Sequence, residues 1–194
     1  MAQKHKIVII GAGFGGITMA KYFKKKNVDI LLIDQNNYHN FQPLMYQIAT
    51  GGLEPYSIAY PVRRIFRNQK NIRFRMAKVK SVDVDDKKIK TSVGNFAYDY
   101  LIIATGSKSN FYDFEGIKNI LFPLKSIPDA LNMRSFIFQN LEKSLTRQEN
   151  ESLEEILNIA IVGGGPAGLA CARTASDSGM RTLLIERKKT IGKK

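Results

Sequence analysis

The fold is decided by IVIIGAGFGGITMAKYFKKKNVDILLID at residues 7–34 and IAIVGGGPAGLACARTASDSGMRTLLIE at residues 159–186. The two stretches align without gaps. Each contains a β-branched run, the pattern G-x-G-x-x-G, a helical segment, a second apolar run and an acidic residue, in that order. The patterned glycines coincide: Gly11, Gly13 and Gly16 with Gly163, Gly165 and Gly168. This repeat predicts two Rossmann-like dinucleotide-binding units.

Each residue type in the repeat has a physical role in holding a dinucleotide. The first glycine makes a tight turn, the second lets the backbone approach a diphosphate, and the third lets helix and strand pack closely. The helix N-terminus offers unpaired N–H groups and partial positive charge to the phosphates. The acidic residue, Asp34 or Glu186, accepts hydrogen bonds from ribose hydroxyls. A purely structural strand-to-helix turn is the alternative for each unit.

The segments around the first glycine pattern predict an α/β fold with a doubly wound parallel sheet. Mostly apolar runs at residues 6–10, 28–33 and 98–105 are typical of strands that are covered on both faces. A helix over 14–26 follows the first run, and Asn27 can adopt the left-handed conformation just past its end.

The region between these strands is less regular. Residues 36–55 are predicted to form a long loop, and a loop of this length in a compact domain is more often functional than filler. A short basic helix is expected over 61–66. Alternating strands should follow over 72–93, with a turn at 85–88.

The second half of the chain opens with a helix-start signal. Ser126, followed three residues later by Asp129, is a capping-box pattern. Apolar residues then recur at helical spacing: Leu131, Phe138, Leu141 and Leu145. A further buried strand is predicted over 157–162.

Composition excludes several classes of protein. The chain has 194 residues, of which 44% are apolar and 24% charged, so that wholesale disorder is ruled out. One Cys excludes an internal disulfide and a Cys-rich zinc cluster, so we predict no metal site and a cytoplasmic location. No apolar run reaches the roughly 18 residues that span a bilayer. The glycine-interrupted start does not fit a signal peptide.

The net charge of +13 favours an anionic partner, namely a phosphorylated cofactor, nucleic acid or a membrane surface. Four residues form a basic face, for which a solvated surface is the default and peripheral membrane contact the alternative: Arg63, Arg64, Arg67 and Lys70. No nucleic-acid recognition module is present, so we do not expect nucleic acid as a partner.

Several segments resemble the type II NADH dehydrogenases, the single-chain NADH:quinone oxidoreductases of the flavoprotein superfamily with two dinucleotide-binding domains. The matching stretches are NYH at 37–39, FQPLMYQ at 41–47, ATGG at 49–52, YDYLIIATGS at 98–107 and PLKSI at 123–127. The glycine patterns indicate only the superfamily, whereas the Tyr-His-x-Phe-Gln-Pro-Leu segment indicates this family. Two nucleotide-binding units in one chain also suit electron transfer from a nicotinamide to a flavin.

The resemblance implies that the first unit binds FAD. The residues on its diphosphate would be Gly11, Ala12, Gly13, Phe14, Gly15 and Gly16. Asp34 and Gln35 would lie near the adenosine ribose, and Val79 beside the adenine. The residues near the isoalloxazine would be Gln42, Pro43, Leu44, Tyr46, Thr50 and Gly51. The crossover out of the FAD domain would be Ala104, Thr105 and Gly106.

The resemblance also implies that the second unit binds NADH through Gly163, Gly165, Gly168 and Glu186. The acidic residue favours NADH, although the basic residues at 187–189 could accept the 2′-phosphate of NADPH. Hydride would pass from NADH to FAD, and two electrons would then pass to a membrane quinone without proton pumping. The family carries a catalytic Glu where this chain has Ala170, so the catalytic residue is unknown.

The implied domains are an FAD-binding domain over 1–115, with a small β-meander at about 72–97, and a partial NAD(P)-binding domain over 116–194. The C-terminal half found in the family is absent, and we expect the protein to be a truncated form. A nucleotide-binding half needs about three parallel strands, and the second unit has two. We therefore expect an open sheet edge, a weak NAD site, and either a homo-oligomer or a partner chain that completes the sheet.

Three functions stay open. The first is the NADH:quinone reductase, located in the cytoplasm or at the cytoplasmic face of the membrane. The second is a non-catalytic nucleotide-binding remnant or subunit. The third is an FAD-dependent reductase or monooxygenase, because residues 165–192 are similar to the FAD fingerprint of those enzymes.

Two further residues have alternative interpretations. Cys171 has no second thiol at redox-motif spacing, which argues against a disulfide reductase and favours a small core residue. His39 either orients its loop or contacts the cofactor, and a loop histidine that is simply bonded to backbone is the alternative.

Overall fold

The computed structural model describes residues 4–109, 121–146, 157–162, 166–177 and 179–185. Two compact units divide the chain: the first is Met1–Asn40 with Ala59–Lys108, and the second is Phe41–Ile58 with Ser109–Lys194. The predicted domains over 1–115 and 116–194 place residues 41–58 in the first domain, whereas in this division Phe41–Ile58 belongs to the second unit and the later boundary follows Lys108.

The strands, in chain order, are β1 (His5–Ile10), β2 (Val28–Asp34), β3 (Tyr38–Asn40), β4 (Ala59–Pro61), β5 (Ile72–Met76), β6 (Val79–Asp83), β7 (Lys88–Thr91), β8 (Gly94–Ala97), β9 (Tyr100–Ile103), β10 (Asn158–Val162) and β11 (Arg181–Ile185). The helices are α1 (Phe14–Phe23), α2 (Met45–Ala49), α3 (Val62–Phe66), α4 (Ile127–Thr146) and α5 (Pro166–Asp177). Short 3₁₀ turns span Gln42–Leu44 and Pro55–Ser57.

The first unit is built on a four-stranded parallel sheet with the order β5-β2-β1-β9. This order places β1 beside β2, with β5 beyond it, as in one half of a Rossmann fold. The predicted α/β class with a parallel sheet is therefore confirmed.

Both faces of this sheet are covered, as the mostly apolar runs predict. One face packs against α1 and α3, with a core that includes Ile9, Ile17, Ile30, Leu32 and Phe66. The other face carries a core that includes Val8, Ile10, Ile33, Ile89 and Tyr98. The elements on this second face are the strands β6, β7 and β8, which form an antiparallel meander.

The meander is shorter than the predicted span of about 72–97, because β5 pairs in parallel with β2 and belongs to the main sheet. The loop predicted over 36–55 also contains regular structure, namely β3, a 3₁₀ turn and α2. The strand predicted over 98–105 is limited to β9, in which Tyr100 is 58% and Ile103 65% exposed. Its low burial follows from its position at the edge of the sheet.

The end of α1 differs from the prediction. The helix stops at Phe23, and Asn27 is not left-handed, since Lys87 is the one non-glycine residue with positive φ in the described part of the chain. A distant side chain caps the helix instead. The Asn71 amide Nδ2 donates to the carbonyl oxygens of Phe23, Lys26 and Val28 over 3.1, 3.3 and 3.3 Å.

In the second unit, the predicted capping box at α4 is confirmed. The backbone N–H groups of Lys125 and Ser126 donate to Asp129 Oδ2 over 3.1 and 2.7 Å, and the Asp129 N–H donates to Ser126 Oγ over 3.3 Å. Three of the apolar residues at helical spacing are exposed, namely Leu131, Phe138 and Leu145. Among the α4 residues, Ile127 and Ala130 are buried.

The strands β10 and β11 form a two-stranded parallel sheet in the described part of the second unit. Gly179 has a φ of +81° just past α5, as its place at the helix end in the repeat predicts. The strand over 157–162 is not buried as predicted, because exposed and half-buried residues alternate along it. Val162 is 78% and Leu183 60% exposed, which agrees with the expected open sheet.

None of the helices in the described ranges is long and apolar enough to cross a membrane.

Candidate functional site

The first glycine turn joins β1 to α1, and two of its glycines are required by packing. Gly11 has a φ of +104°, which L side chains rarely adopt, and a Cβ there would collide with the Ala104 carbonyl oxygen. A Cβ on Gly16 would collide with the Gly11 carbonyl oxygen. The Gly11 N–H also donates to the Ile33 carbonyl oxygen over 2.7 Å. Gly11 and Gly16 thus have the tight-turn and close-packing roles that the pattern predicts.

Gly13 is different, because nothing inside the protein requires a glycine there. Its φ of −76° and ψ of −166° are open to any residue, and a Cβ on it would meet no atom within 4 Å. Gly13 is also the N-cap of α1, which has no side-chain cap hydrogen bond and no acidic residue in its first turn. The positive end of this helix therefore faces open space without an anionic side chain from α1 itself.

Asp34, at the end of β2, holds the turn. Its Oδ2 accepts a hydrogen bond from the Ala12 N–H over 2.6 Å, and its Oδ1 accepts one from the Asn36 N–H over 2.8 Å. A carboxylate offers about four lone-pair sites, so acceptor capacity is left for a ribose hydroxyl. The sequence pattern indicated only a ribose contact for Asp34, and it gave no signal for the bond to the turn.

His39, on β3, contacts the same turn from another direction. Its Nδ1 lies 3.1 Å from the Ala12 carbonyl oxygen, and its ring meets the Phe14 ring edge-to-face with 5.0 Å between centroids. A carbonyl oxygen only accepts hydrogen bonds, so Nδ1 must carry the proton. The backbone hydrogen bond, one of the interpretations left open for His39, is present in the structure.

The other predicted residues of the first unit lie around this turn or continue from it. The Ala104 N–H donates to the Ile10 carbonyl oxygen over 2.8 Å, which brings the start of the segment Ala104, Thr105 and Gly106 against Gly11. Gln35 is exposed directly after β2. The Ala77 N–H donates to the Asp34 carbonyl oxygen over 2.8 Å, so the chain leading to the half-buried Val79 starts beside Asp34.

The residues predicted near the isoalloxazine belong to the second unit, where they bond to one another and to the residues just before α4. Gln42 Nε2 donates to the Lys125 carbonyl oxygen over 3.3 Å, and the Thr50 hydroxyl donates to the Tyr46 carbonyl oxygen over 3.0 Å. Pro43 and Leu44 complete the 3₁₀ turn that begins at Gln42.

Gly51 packs closely against α4. It has a φ of +81°, and a Cβ on it would lie 2.9 Å from the Phe138 ring. Close by in sequence, Glu54 Oε1 pairs with the Arg134 guanidinium over 3.4 Å. Sequence reasoning missed Arg134 and Phe138 as anchors, because helical spacing gave no sign of which α4 residues face this segment.

The second glycine turn is only partly described. Gly163, Gly165 and Glu186 lie outside the described residues, whereas Gly168 and Ala170 lie on α5. Cys171, also on α5, is partly buried, and this burial raises the pKa of its thiol. A partly buried thiol with a raised pKa agrees with the structural role predicted for Cys171.

The parallel sheet, the glycine turn and the acidic end of β2 together define a dinucleotide-binding fold of the Rossmann type. The chain matches the pyridine nucleotide-disulphide oxidoreductase family over residues 5–192 and belongs to it. The family description includes disulphide reductases, whereas this sequence has a single cysteine.

The individual relatives indicate a narrower group of proteins than the family does. Over 184 residues the chain is 35% identical to the type II NADH:quinone oxidoreductase NdhA of Mycobacterium tuberculosis, covering 93% of this chain and 39% of that protein. It is 31% identical to the mitochondrial external alternative NAD(P)H-ubiquinone oxidoreductase B4 of Arabidopsis thaliana, covering 86% of this chain and 31% of that protein.

A solved structure of NDH2 from Plasmodium falciparum in complex with NADH superimposes with a TM-score of 0.78 at 31% identity, covering 90% of this chain and 37% of that one. The resemblance to type II NADH dehydrogenases is confirmed. The chain spans roughly two fifths or less of the length of these relatives.

The bonds of Asp34 give a first testable prediction. In Asp34→Asn the amide NH₂ group must face either the Ala12 N–H or the Asn36 N–H, donor against donor, so we expect a loss of about 1–3 kcal/mol in the free energy of unfolding. Chemical denaturation without added cofactor measures it. The matched control is Asp29→Asn on the same strand, at the end opposite the turn, with an expected change within about 0.5 kcal/mol. Equal losses in both variants would contradict the role of Asp34 in holding the turn.

Proposed function

We propose that the first unit binds FAD, with its diphosphate at the turn from Gly11 to Gly16. The observation that supports this most is the open space at Gly13, in front of a helix N-terminus that has no side-chain cap. A diphosphate would find there backbone N–H donors and the positive end of α1. The acceptor capacity left on Asp34 suits an adenosine ribose, with Gln35 beside it and Val79 further along toward the adenine.

The wider proposal is an NADH:quinone oxidoreductase that does not pump protons. FAD, once bound, supplies the ability to take up a hydride and release electrons to a second acceptor. NADH would bind at the second glycine turn through Gly163, Gly165, Gly168 and Glu186, and NADPH less well. The relatives are named as NADH or NAD(P)H oxidoreductases that reduce quinones, which supports NADH or NAD(P)H as donor and a quinone as acceptor.

The remaining roles follow from the same proposal. The segment from Gln42 to Gly51 would lie near the flavin ring, and Ala104, Thr105 and Gly106 would lead out of the FAD domain. A quinone acceptor dissolves in the membrane, so we propose a cytoplasmic protein that contacts the cytoplasmic face peripherally. The exposed basic residues of α3, Arg63 and Arg64, suit contact with anionic lipid.

FAD binding and turnover are tested separately. Purified protein should bind added FAD with a quenched flavin fluorescence and an absorbance that stays with the protein on gel filtration. Protein that stays colourless after incubation with FAD would remove the proposal. NADH oxidation with a soluble quinone then tests catalysis, because a protein that only binds nucleotide shows no turnover.

A second candidate is a nucleotide-binding subunit that needs a partner chain or a second copy of itself. The exposed apolar side chains of its two-stranded sheet support it: Val162, Leu183 and Ile185. Ala170, at the place of the family's Glu, supports it as well. Sedimentation should reveal self-association, and a monomer that turns over NADH would contradict this candidate.

A further inference from the structure

The peptide groups of the first glycine turn are fixed from two sides by residues outside the turn. Asp34 Oδ2 holds the Ala12 N–H at 2.6 Å, and His39 Nδ1 holds the Ala12 carbonyl oxygen at 3.1 Å. Ala12 is 3% exposed, so these two bonds act on a buried residue. The single residue between the first two glycines is therefore held at both of its backbone polar groups.

Because the peptide bond is planar, these hydrogen bonds also fix the direction of the next N–H group, that of Gly13. The Ala12 carbonyl and the Gly13 N–H belong to one planar trans peptide, so they point in opposite directions. Because the Ala12 carbonyl points toward His39, the Gly13 N–H points away from His39. Gly13 is the exposed residue with open space around it.

We infer that His39 is a positioning residue for the diphosphate, acting through the Ala12 carbonyl by orienting the Gly13 N–H toward the ligand. This inference rests on the proposed FAD site and assigns His39 no contact with the cofactor. Asp34 supports the same arrangement by fixing the preceding peptide, which joins Gly11 to Ala12. A Cβ on Gly16 would collide with the Gly11 carbonyl oxygen, so that peptide also lies tightly against α1.

His39 makes two contacts with the turn, and two substitutions separate them. His39→Phe keeps an aromatic ring for the edge-to-face contact with Phe14 but loses the donor. His39→Asn loses the ring but places an N–H donor at the same number of bonds from Cβ as Nδ1. If the hydrogen bond orients the turn, the Asn variant should retain FAD affinity and the Phe variant should not.

We expect the dissociation constant for FAD, measured by fluorescence quenching, to rise about tenfold in His39→Phe and to stay within about threefold of wild type in His39→Asn. The reverse order would assign the effect to the ring and overturn the inference. Equal affinities in all three proteins would overturn it as well. Thermal unfolding of each variant identifies any loss that comes from folding rather than from the turn.

An NMR measurement on the unaltered protein tests the inference without a variant and without FAD. At about pH 8, where an ordinary imidazole is neutral, long-range ¹H–¹⁵N spectra should show Nδ1 protonated and Nε2 bare in His39. The chain has two histidines, so His39→Asn assigns the signals. A proton on Nε2 would overturn the inference. If wild type does not bind FAD, the proposed function fails while the tautomer still decides whether His39 holds the turn.

Discussion

Replacing Gly16 with alanine should lower the free energy of unfolding by about 3 kcal/mol or more. The added Cβ would collide with the Gly11 carbonyl oxygen, which is backbone and cannot rotate away as a side chain could. Gly16 is buried where α1 crosses β1, so the helix must shift to make room. A total stability of about 5–15 kcal/mol is usual, so this loss is a large share of it. Chemical denaturation followed by circular dichroism measures the change.

The neighbouring residue provides the matched control. Gly15 lies on the same helix, and a Cβ on it would lie 3.8 Å from the Ala104 Cβ, which is ordinary van der Waals contact. Gly15→Ala should therefore leave stability unchanged or raise it by up to about 1 kcal/mol through helix propensity. Similar losses for Gly15→Ala and Gly16→Ala would show that close packing at Gly16 is not the cause.

Replacing Gly13 with leucine should have the opposite pattern, with folding kept and FAD binding lost. The backbone there is extended, and a side chain would enter open space, so we expect stability within about 1 kcal/mol of wild type. The side chain would fill the position that the diphosphate needs. We expect affinity for FAD to fall at least about a hundredfold, or about 2.8 kcal/mol, in fluorescence titration.

Gly13→Ala is the graded control for this position. Its single methyl group should cost about tenfold in affinity, between wild type and the leucine variant. If Gly13→Leu binds FAD as tightly as wild type, the diphosphate does not lie at this turn. If Gly13→Leu unfolds, the glycine has a structural role that the open space around it does not explain.

Much of the first unit could be predicted from the sequence because its signals are local. The mostly apolar runs that became β1 and β2 are short local stretches of sequence, and the three glycines of the turn lie within six positions of one another. The capping box of α4 is equally local, since Ser126 and Asp129 are three residues apart. In each case the residues that determine an element lie within that element or directly beside it in the sequence.

The features that the sequence did not predict depend on residues that are distant along the chain. Asn71 ends α1, although the helix sequence gives no sign of it. The second role of Asp34, the bond of His39 to Ala12 and the contact of Phe138 with Gly51 are all long-range. The exposure of apolar side chains on α4 could not be predicted either, because helical periodicity indicates an apolar stripe but not what covers it.

The contact between Gly11 and Ala104 has a consequence for synthesis on the ribosome. The chain emerges from its N-terminus, so β1, the glycine turn and α1 leave the exit tunnel well before the strand that ends beside them. Until Tyr100–Ile103 pairs with β1, the Ala104 carbonyl oxygen does not lie beside Gly11, where it would collide with a Cβ. A nascent chain shorter than this strand therefore lacks the collision with the Ala104 carbonyl oxygen, and only the φ of +104° disfavours alanine at Gly11 at that stage.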